Sequence, residues 1–451
     1  MKQRHTGNHA ANAGRQGGQT IALVAVAMVS VLAMAALAID LTTLYVAHGE
    51  IQRAADSAAL AGAKAFVDSG VTTSPSNAAL QTLATSMATD FASAAVNQNH
   101  VAGAPAQFIN GTPLVSLTIS TSGNPNAPGN PNITVSLQRT DLPLFFARIW
   151  GGSITSVSAT AMAEAYNPAY SQTNTGAFIP SAPQCVKPFL IPNEDPNQSG
   201  APFVNTIKGA IASSAEPFIG ETLTLSSACT GNSCGSPNFS NLTKTTGTAT
   251  EYIPMLLPDA HRYCPSDSAP GCSGLGSNFQ ASTECCDGTI FDYKQCGVSG
   301  TIATWDQNTN PGGNKGDAQQ GLQCLIHDPQ RDVLNAGFAN SSLMQIQPGP
   351  YSQARYNVAP GSLISTSDSI ITVPLFDPKS LNKATQQVNI VGFLQLFVKD
   401  VGKKPQPPPP GPPPDMNAYI LNVIGCGSTL TAGSAISGGG ASAIPVRLIH
   451  N

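Results

Sequence analysis

Charge is scarce in this chain, and over the first 39 residues charge of one sign is missing. Only 10% of the 451 residues are Asp, Glu, Lys or Arg, and no acid precedes Asp40, whereas Lys2, Arg4 and Arg15 do. Cysteine is absent before Cys185, and no two of the ten cysteines stand as C-x-x-C. The paired-thiolate spacing of a structural zinc site is therefore missing. The 21 Lys+Arg, three of them in the basic tail, face 25 Asp+Glu, which leaves no basic surface for nucleic acid. H-E-x-x-H, S-x-x-K with its partner motifs and G-x-x-x-x-G-K are all lacking, so no zinc protease, penicillin-binding or nucleotide-phosphate signature is present. The chain reads as a non-enzyme without cofactor or metal. An anchored hydrolase is the alternative that His261, His327 and His450 would have to carry, His327 beside Asp328 being the first to test. Against this scarcity stand 42 Gly and 36 Pro, a composition that suits a loop-rich, β-leaning protein outside the cytoplasm.

Where charge is missing there is an apolar run. Thr20 to Ile39 (TIALVAVAMVSVLAMAALAI) holds no charge and no proline. As a helix it is roughly 30 Å long, the thickness of a bilayer's hydrocarbon core. It reads as a transmembrane helix that leaves the bilayer at Asp40. The basic residues ahead of it place the N-terminus in the cytoplasm and the bulk of the chain outside, so the expected location is a cytoplasmic (inner) membrane, crossed once. A cleavable signal peptide is the competing reading, since Ala36-Leu37-Ala38 offers a small-residue cleavage site. The run is longer than the usual ~7–15-residue signal core, however, and more helix follows it.

Beyond Asp40 the helical pattern continues through LTTLYVAHGEIQRAADSAALAGAKAF. Leu44, Ala47, Ile51, Ala54, Ala58, Ala61 and Ala65 follow a three-four spacing, and one heptad back from Ala47 lies Asp40. The opposite side carries Glu50, Arg53, Asp56 and Lys64. An alanine face lets a neighbouring backbone approach closely, so two readings stand. The seam packs on the chain's own globular part, or it docks another helix, with Asp40 paired to a partner's amine.

A second alanine-rich helix is expected over 74–96. Strands are expected at Leu114–Ser120, Ile133–Gln138 and Ile154–Met162, the amphipathic LPLFFARIW preceding the last. A long, half-embedded helix packed on a small antiparallel sheet is a pilin-like arrangement. From about Tyr166 onward, apolar runs at Tyr252–Leu257, Ser369–Phe376, Val388–Val398, Ala418–Gly425 and Ala443–Ile449 read as strands of a β-rich domain. Lys403–Asp415 (KKPQPPPPGPPPD) is a stiff polyproline loop or spacer. Cys185, Cys229, Cys234, Cys264, Cys272, Cys285, Cys286, Cys296, Cys324 and Cys426 are candidates for disulfides, in a connectivity that spacing leaves open. The oxygen-rich loop from Asp306 to Asp317 resembles a calcium loop only in part, with Pro311 where an EF-hand has Gly.

The N-terminal residues carry a family resemblance. The run from Gly18 to Phe66, and QRAADSAALAGA (Gln52–Ala63) above all, resembles TadE/TadG-like proteins of the Flp (tight adherence, Tad) pilus system. LPLFFARIWGGSITSVSATAMA (Leu142–Ala163) resembles a further part of that family's N-terminal region. The resemblance implies a pilus-associated membrane component of the TadG type, with other pilin-like Tad subunits and membrane assembly components as partners. The positions that would be fifth after Gly17 or Gly18 are Ala22 and Leu23 rather than the Glu of a prepilin peptidase substrate, which implies that the segment is kept whole. The Asp-x-Ser-x-Ser motif of an adhesion domain is lacking, Asp368-Ser369-Ile370 failing at the third position. The organisation expected is a tail over 1–19, a transmembrane helix over 20–40, a pilin-like α+β region over 41–165 and a β-rich, disulfide-containing domain over 166–451. The alternative is an anchored adhesin whose distal domain binds a surface.

Overall fold

The computed structural model describes residues 16–117, 130–142, 146, 155–167, 183–198, 200–206, 211–212, 219–229, 234–235, 237, 249–256, 262–263, 272, 277–287, 302–305, 316–335, 345–364, 366–402, 416–425 and 444–449. The polyproline segment, most of LPLFFARIW and residues 306–315 of the candidate calcium loop lie outside this set. The fold is mixed α+β. Helix α1 (Gln16–Asp68) is one unbroken rod, about 80 Å long at the usual rise, and helix α2 (Ala78–Gln98) follows. Alanine accounts for much of both, and no proline interrupts either, so the intrinsic cost of helix is low.

Two sheets follow. The first combines β1 (Gln107–Phe108), β2 (Leu114–Ser116), β3 (Asn132–Leu142), β4 (Thr155–Ala165) and a late strand, β12 (Val446–Ile449), in the order β12-β4-β3-β1, with β2 also on β3. Strand β3 alternates buried and half-buried residues over most of its length, the period-two pattern of a sheet covered on one face. The C-terminal β12 returns to this sheet, pairing Leu448 with Ala163, and Arg447 forms an ion pair with the buried Glu164.

The second sheet contains β5 (Phe189–Pro192), β6 (Thr222–Ser227), β7 (Ala249–Pro254), β8 (Ile302–Thr304), β9 (Ile370–Phe376), β10 (Gln387–Val401) and β11 (Met416–Gly425). Its pairing order is β8-β10-β9-β5-β7-β6-β11, and β10 also pairs β11. Six strands therefore close on themselves as a barrel, which removes the open edges that invite unwanted pairing. Two of its joints, β5 with β9 and β6 with β7, are parallel. Every residue of β9 is buried, and β10 and β11 are buried over most of their lengths. Strands covered on both faces read as continuous apolar runs, and IITVPLF and YILNVIG are such runs. Three short helices, α3 (Asn278–Glu284), α4 (Asp317–Leu325) and α5 (Pro350–Tyr356), come from segments without a long apolar period.

The chain divides into two compact units. One comprises Met1–Ala55, Val96–Gly111 and Ser136–Thr160, the other Asp56–Ala95, Thr112–Val135 and Ala161–Asn451. Within the second, the end of α1 is locked to the barrel. The buried Asn422 of β11 donates to the Val67 carbonyl (2.6 Å) and to Gln395 (2.7 Å), and accepts from the Thr72 and Thr73 hydroxyls. Asn167 adds bonds to the Thr72 and Val423 carbonyls. Gly70 makes this junction possible. Its φ is +77°, and a Cβ there would lie 2.5 Å from Ile219 and 3.0 Å from the Leu421 carbonyl. Gly70→Ala is expected to cost roughly 1–3 kcal/mol, from left-handed strain plus overlap, read as a lower urea midpoint of the purified protein. Gly62 serves a related end in mid-helix, where a Cβ would come within 2.5 Å of Ile133 and 3.1 Å of the Ala88 carbonyl.

Candidate functional site

The membrane segment is bare. From Ile21 to Ile39 the large apolar side chains are exposed, and this helix is the one candidate span among the described residues. The protein is thus a single-pass candidate with its anchor at the N-terminus, and the remaining question is what happens where the span ends.

At that end Asp40 is 3% exposed. Its carboxylate accepts the backbone N–H of Phe146, with Oδ2 at 3.1 Å and Oδ1 at 3.4 Å. The carboxylate at the end of the span thus has a partner within its own chain, a charge-assisted hydrogen bond from a backbone amide. The seam beyond it turns inward as well: Ala47, Ile51, Ala54, Ala58 and Ala65 are buried, while Leu44 and Ala61 are half-buried. Most of the alanine face is thus covered within the chain itself. Glu50, on the polar side, accepts the Ala102 N–H at 2.8 Å, and Lys64 pairs with Asp68. Between Glu50 and Ala102 and the end of the span lies an apolar groove of about 470 Å³, walled by Ala38, Ile39, Thr43, Val46 and Ala47.

A second cluster lies beside the barrel, where chemistry would be sought. Cys185 bonds Cys286, Cys229 bonds Cys234 and Cys272 bonds Cys324. Cys285 is also disulfide-bonded, and no cysteine among the described residues is free. Cys264, Cys296 and Cys426 lie outside the described set. Two residues after Cys185, the buried Lys187 donates to the Cys285 carbonyl at 2.8 Å. Burial draws its ammonium down to about 7, while the Asp368 and Glu284 carboxylates act in the opposite direction. Glu284 is raised by burial, against the pull of Lys187 and His327.

His327 does not engage its sequence neighbour Asp328, which pairs with Arg331. Instead its Nε2 lies 2.9 Å from an Asp368 oxygen, and its ring stacks on Tyr351 at 3.4 Å. Its Nδ1 is buried without a hydrogen-bond partner. A histidine–aspartate pair becomes a nucleophile-activating triad when the second ring nitrogen meets a hydroxyl or thiol, and no such hydrogen bond to Nδ1 is formed among the described residues. His261 and His450 are outside the described residues. Nothing in the sequence marked Lys187 or Glu284, and Asp368 stood out only as the start of an incomplete adhesion motif, because the three come from remote segments that only the fold assembles.

Residues 18–65 match the model of the Tad family, described as "Putative Flp pilus-assembly TadE/G-like". The match covers α1 but for its first two and last three residues, Asp40 included. Comparison with curated proteins and with solved structures finds no match.

Proposed function

We propose that this protein is a membrane-anchored structural component of the Flp (Tad) pilus assembly system, N-terminus in the cytoplasm, which works by docking its exposed span against other pilin-like helices. The observation that carries the reading is the coincidence of the Tad match with α1. The large apolar side chains of the span within that match are exposed, whereas most of the alanine seam beyond it is buried within the chain. Docking then belongs to Ile21–Ile39 rather than to Ala47–Ala65. Within a bilayer, helices associate through small side chains and close packing, and Ala22, Ala25, Ala27, Ala33, Ala35, Ala36 and Ala38 supply small positions around the helix.

The test is photo-crosslinking in the cell of origin, with a benzophenone amino acid at Val24, Val31 or Met34. Cross-links to other pilin-like subunits from at least one of these positions are expected. Replacing Thr20–Ile39 by an unrelated apolar span should keep membrane insertion and abolish piliation. Unchanged piliation with the unrelated span would reject docking through this helix.

A further inference from the structure

On leaving β5 the chain makes a closed loop before it returns to the barrel. Asn193 pins that loop, its side chain donating to the Val204 carbonyl at 2.7 Å and accepting the Val204 N–H at 2.9 Å. Inside the loop Asp195 is wholly buried, 0% exposed. Its Oδ1 accepts the Asn197 N–H at 2.9 Å. Its Oδ2 is sealed from solvent and has no hydrogen-bond partner. A buried carboxylate oxygen without a partner is costly, and an ion is one of the few physical accounts of it. A second carboxylate adjoins the first. Glu221, directly ahead of β6, is held on β11 by its carbonyl, which accepts the Ile420 N–H at 3.0 Å, and its Oε2 accepts the Asn197 side-chain amide at 2.8 Å. One asparagine therefore bonds both acids. Burial raises both carboxyls, and the Asp195 charge raises Glu221 further. No lysine, arginine or histidine among the described residues offsets either charge; Lys379 acts instead on Glu194, which faces Asp377.

From these observations we infer that Asp195 and Glu221, completed by the Asn197 side chain, bind a calcium ion that clamps the loop after β5 to the start of β6. The donors are oxygens throughout, the set that hard cations take. A half-turn of the Asn197 amide exchanges its NH2 for its oxygen and turns the bridging residue into a third ligand. No three His, Cys, Asp or Glu side chains converge as a metal centre among the described residues, so water fills the remaining positions. Two carboxylates with water make a low-affinity site, of the ~10⁻⁴–10⁻³ M class found in extracellular modules. The burial of Oδ2 selects between the two common hard cations. A ligand sealed from solvent demands an ion that gives up its water and accepts irregular geometry, which calcium does and magnesium resists. The loop from Asp306 to Asp317 supplies none of these ligands. The clamp lies within the barrel's unit and operates whether or not the span docks a partner.

The experiment uses the full-length oxidised protein in detergent, stripped with EDTA and dialysed. Its thermal unfolding is followed by circular dichroism in calcium chloride, in magnesium chloride and in potassium chloride of matched ionic strength. The midpoint is expected to rise by about 2–5 °C at about 10 mM calcium, by less in magnesium and not at all in potassium. Asp195→Asn and Glu221→Gln should each abolish the calcium shift. The second variant changes a half-buried side chain and carries the test if the first fails to fold. A parent midpoint indifferent to calcium, or one that moves equally in matched potassium chloride, would overturn the inference. A calcium shift that persists undiminished in both variants would also overturn it, by placing the ion elsewhere, as in the loop from Asp306 to Asp317. Equal shifts in calcium and magnesium, both lost in the variants, would overturn the choice of calcium.

Discussion

Replacing both Cys185 and Cys286 by serine is expected to lower unfolding stability by roughly 4–5 kcal/mol, the chain-entropy value for a closed loop of about 100 residues. The bridge spans 101 positions and ties the entry of β5 to the segment that follows α3. Two further bridges give an internal scale. Cys272–Cys324 spans 52 positions and Cys229–Cys234 only 5, for which the same relation gives about 4 and about 2 kcal/mol. Urea midpoints of the three double-serine variants, measured in detergent with the remaining bridges oxidised, should rank in that order. Equal losses for the 101- and 5-residue bridges would show that native contacts at each site, and not loop length, set the value.

The anchor and the long strands are legible in the sequence because burial leaves a simple mark there. The span is an uninterrupted apolar run, and β9, β10 and β11 are nearly so, being covered on both faces. The closure of the barrel is not legible. It depends on the parallel joint between Ile191 and Leu375 and on that between Leu225 and Thr250, pairings no local pattern specifies. FLIP is too short a run to declare itself a strand. The alanine seam shows the complementary limit: a three-four period identifies a face that will be covered and says nothing about by what. Asp40 marks the end of the charge-free run correctly, yet the amide that occupies it comes from Phe146, more than a hundred positions away.

The same separation hides the consequence of Lys187, whose replacement by methionine is expected to stabilise the protein. In the unfolded chain the amine keeps its proton up to about pH 10.5, whereas in the folded protein it gives it up near 7. Between these values the unfolded state binds the extra proton, so native stability rises with pH, by about 1.4 kcal/mol per unit for one such group. At and below pH 7 the full penalty of burying this lysine is present, on the order of 4 kcal/mol, and it disappears above the unfolded value. Lys187→Met removes the penalty and leaves the Cys285 carbonyl without its donor, a loss of about 1–3 kcal/mol. A net gain of about 1–3 kcal/mol is expected near pH 6.5. The decisive reading is the slope. From pH 7 to 9 the difference between variant and parent should shrink by about 2–3 kcal/mol as the parent gains stability, while the methionine protein lacks that component. Glu284 works in the opposite sense: its raised carboxyl binds its proton more tightly in the folded state, so its contribution falls as pH rises. Parallel profiles for the two proteins between pH 7 and 9 would mean that Lys187 stays protonated in the fold, held by Asp368 and Glu284 as a paired buried cation. Its removal would then destabilise at every pH, as breaking a buried pair does.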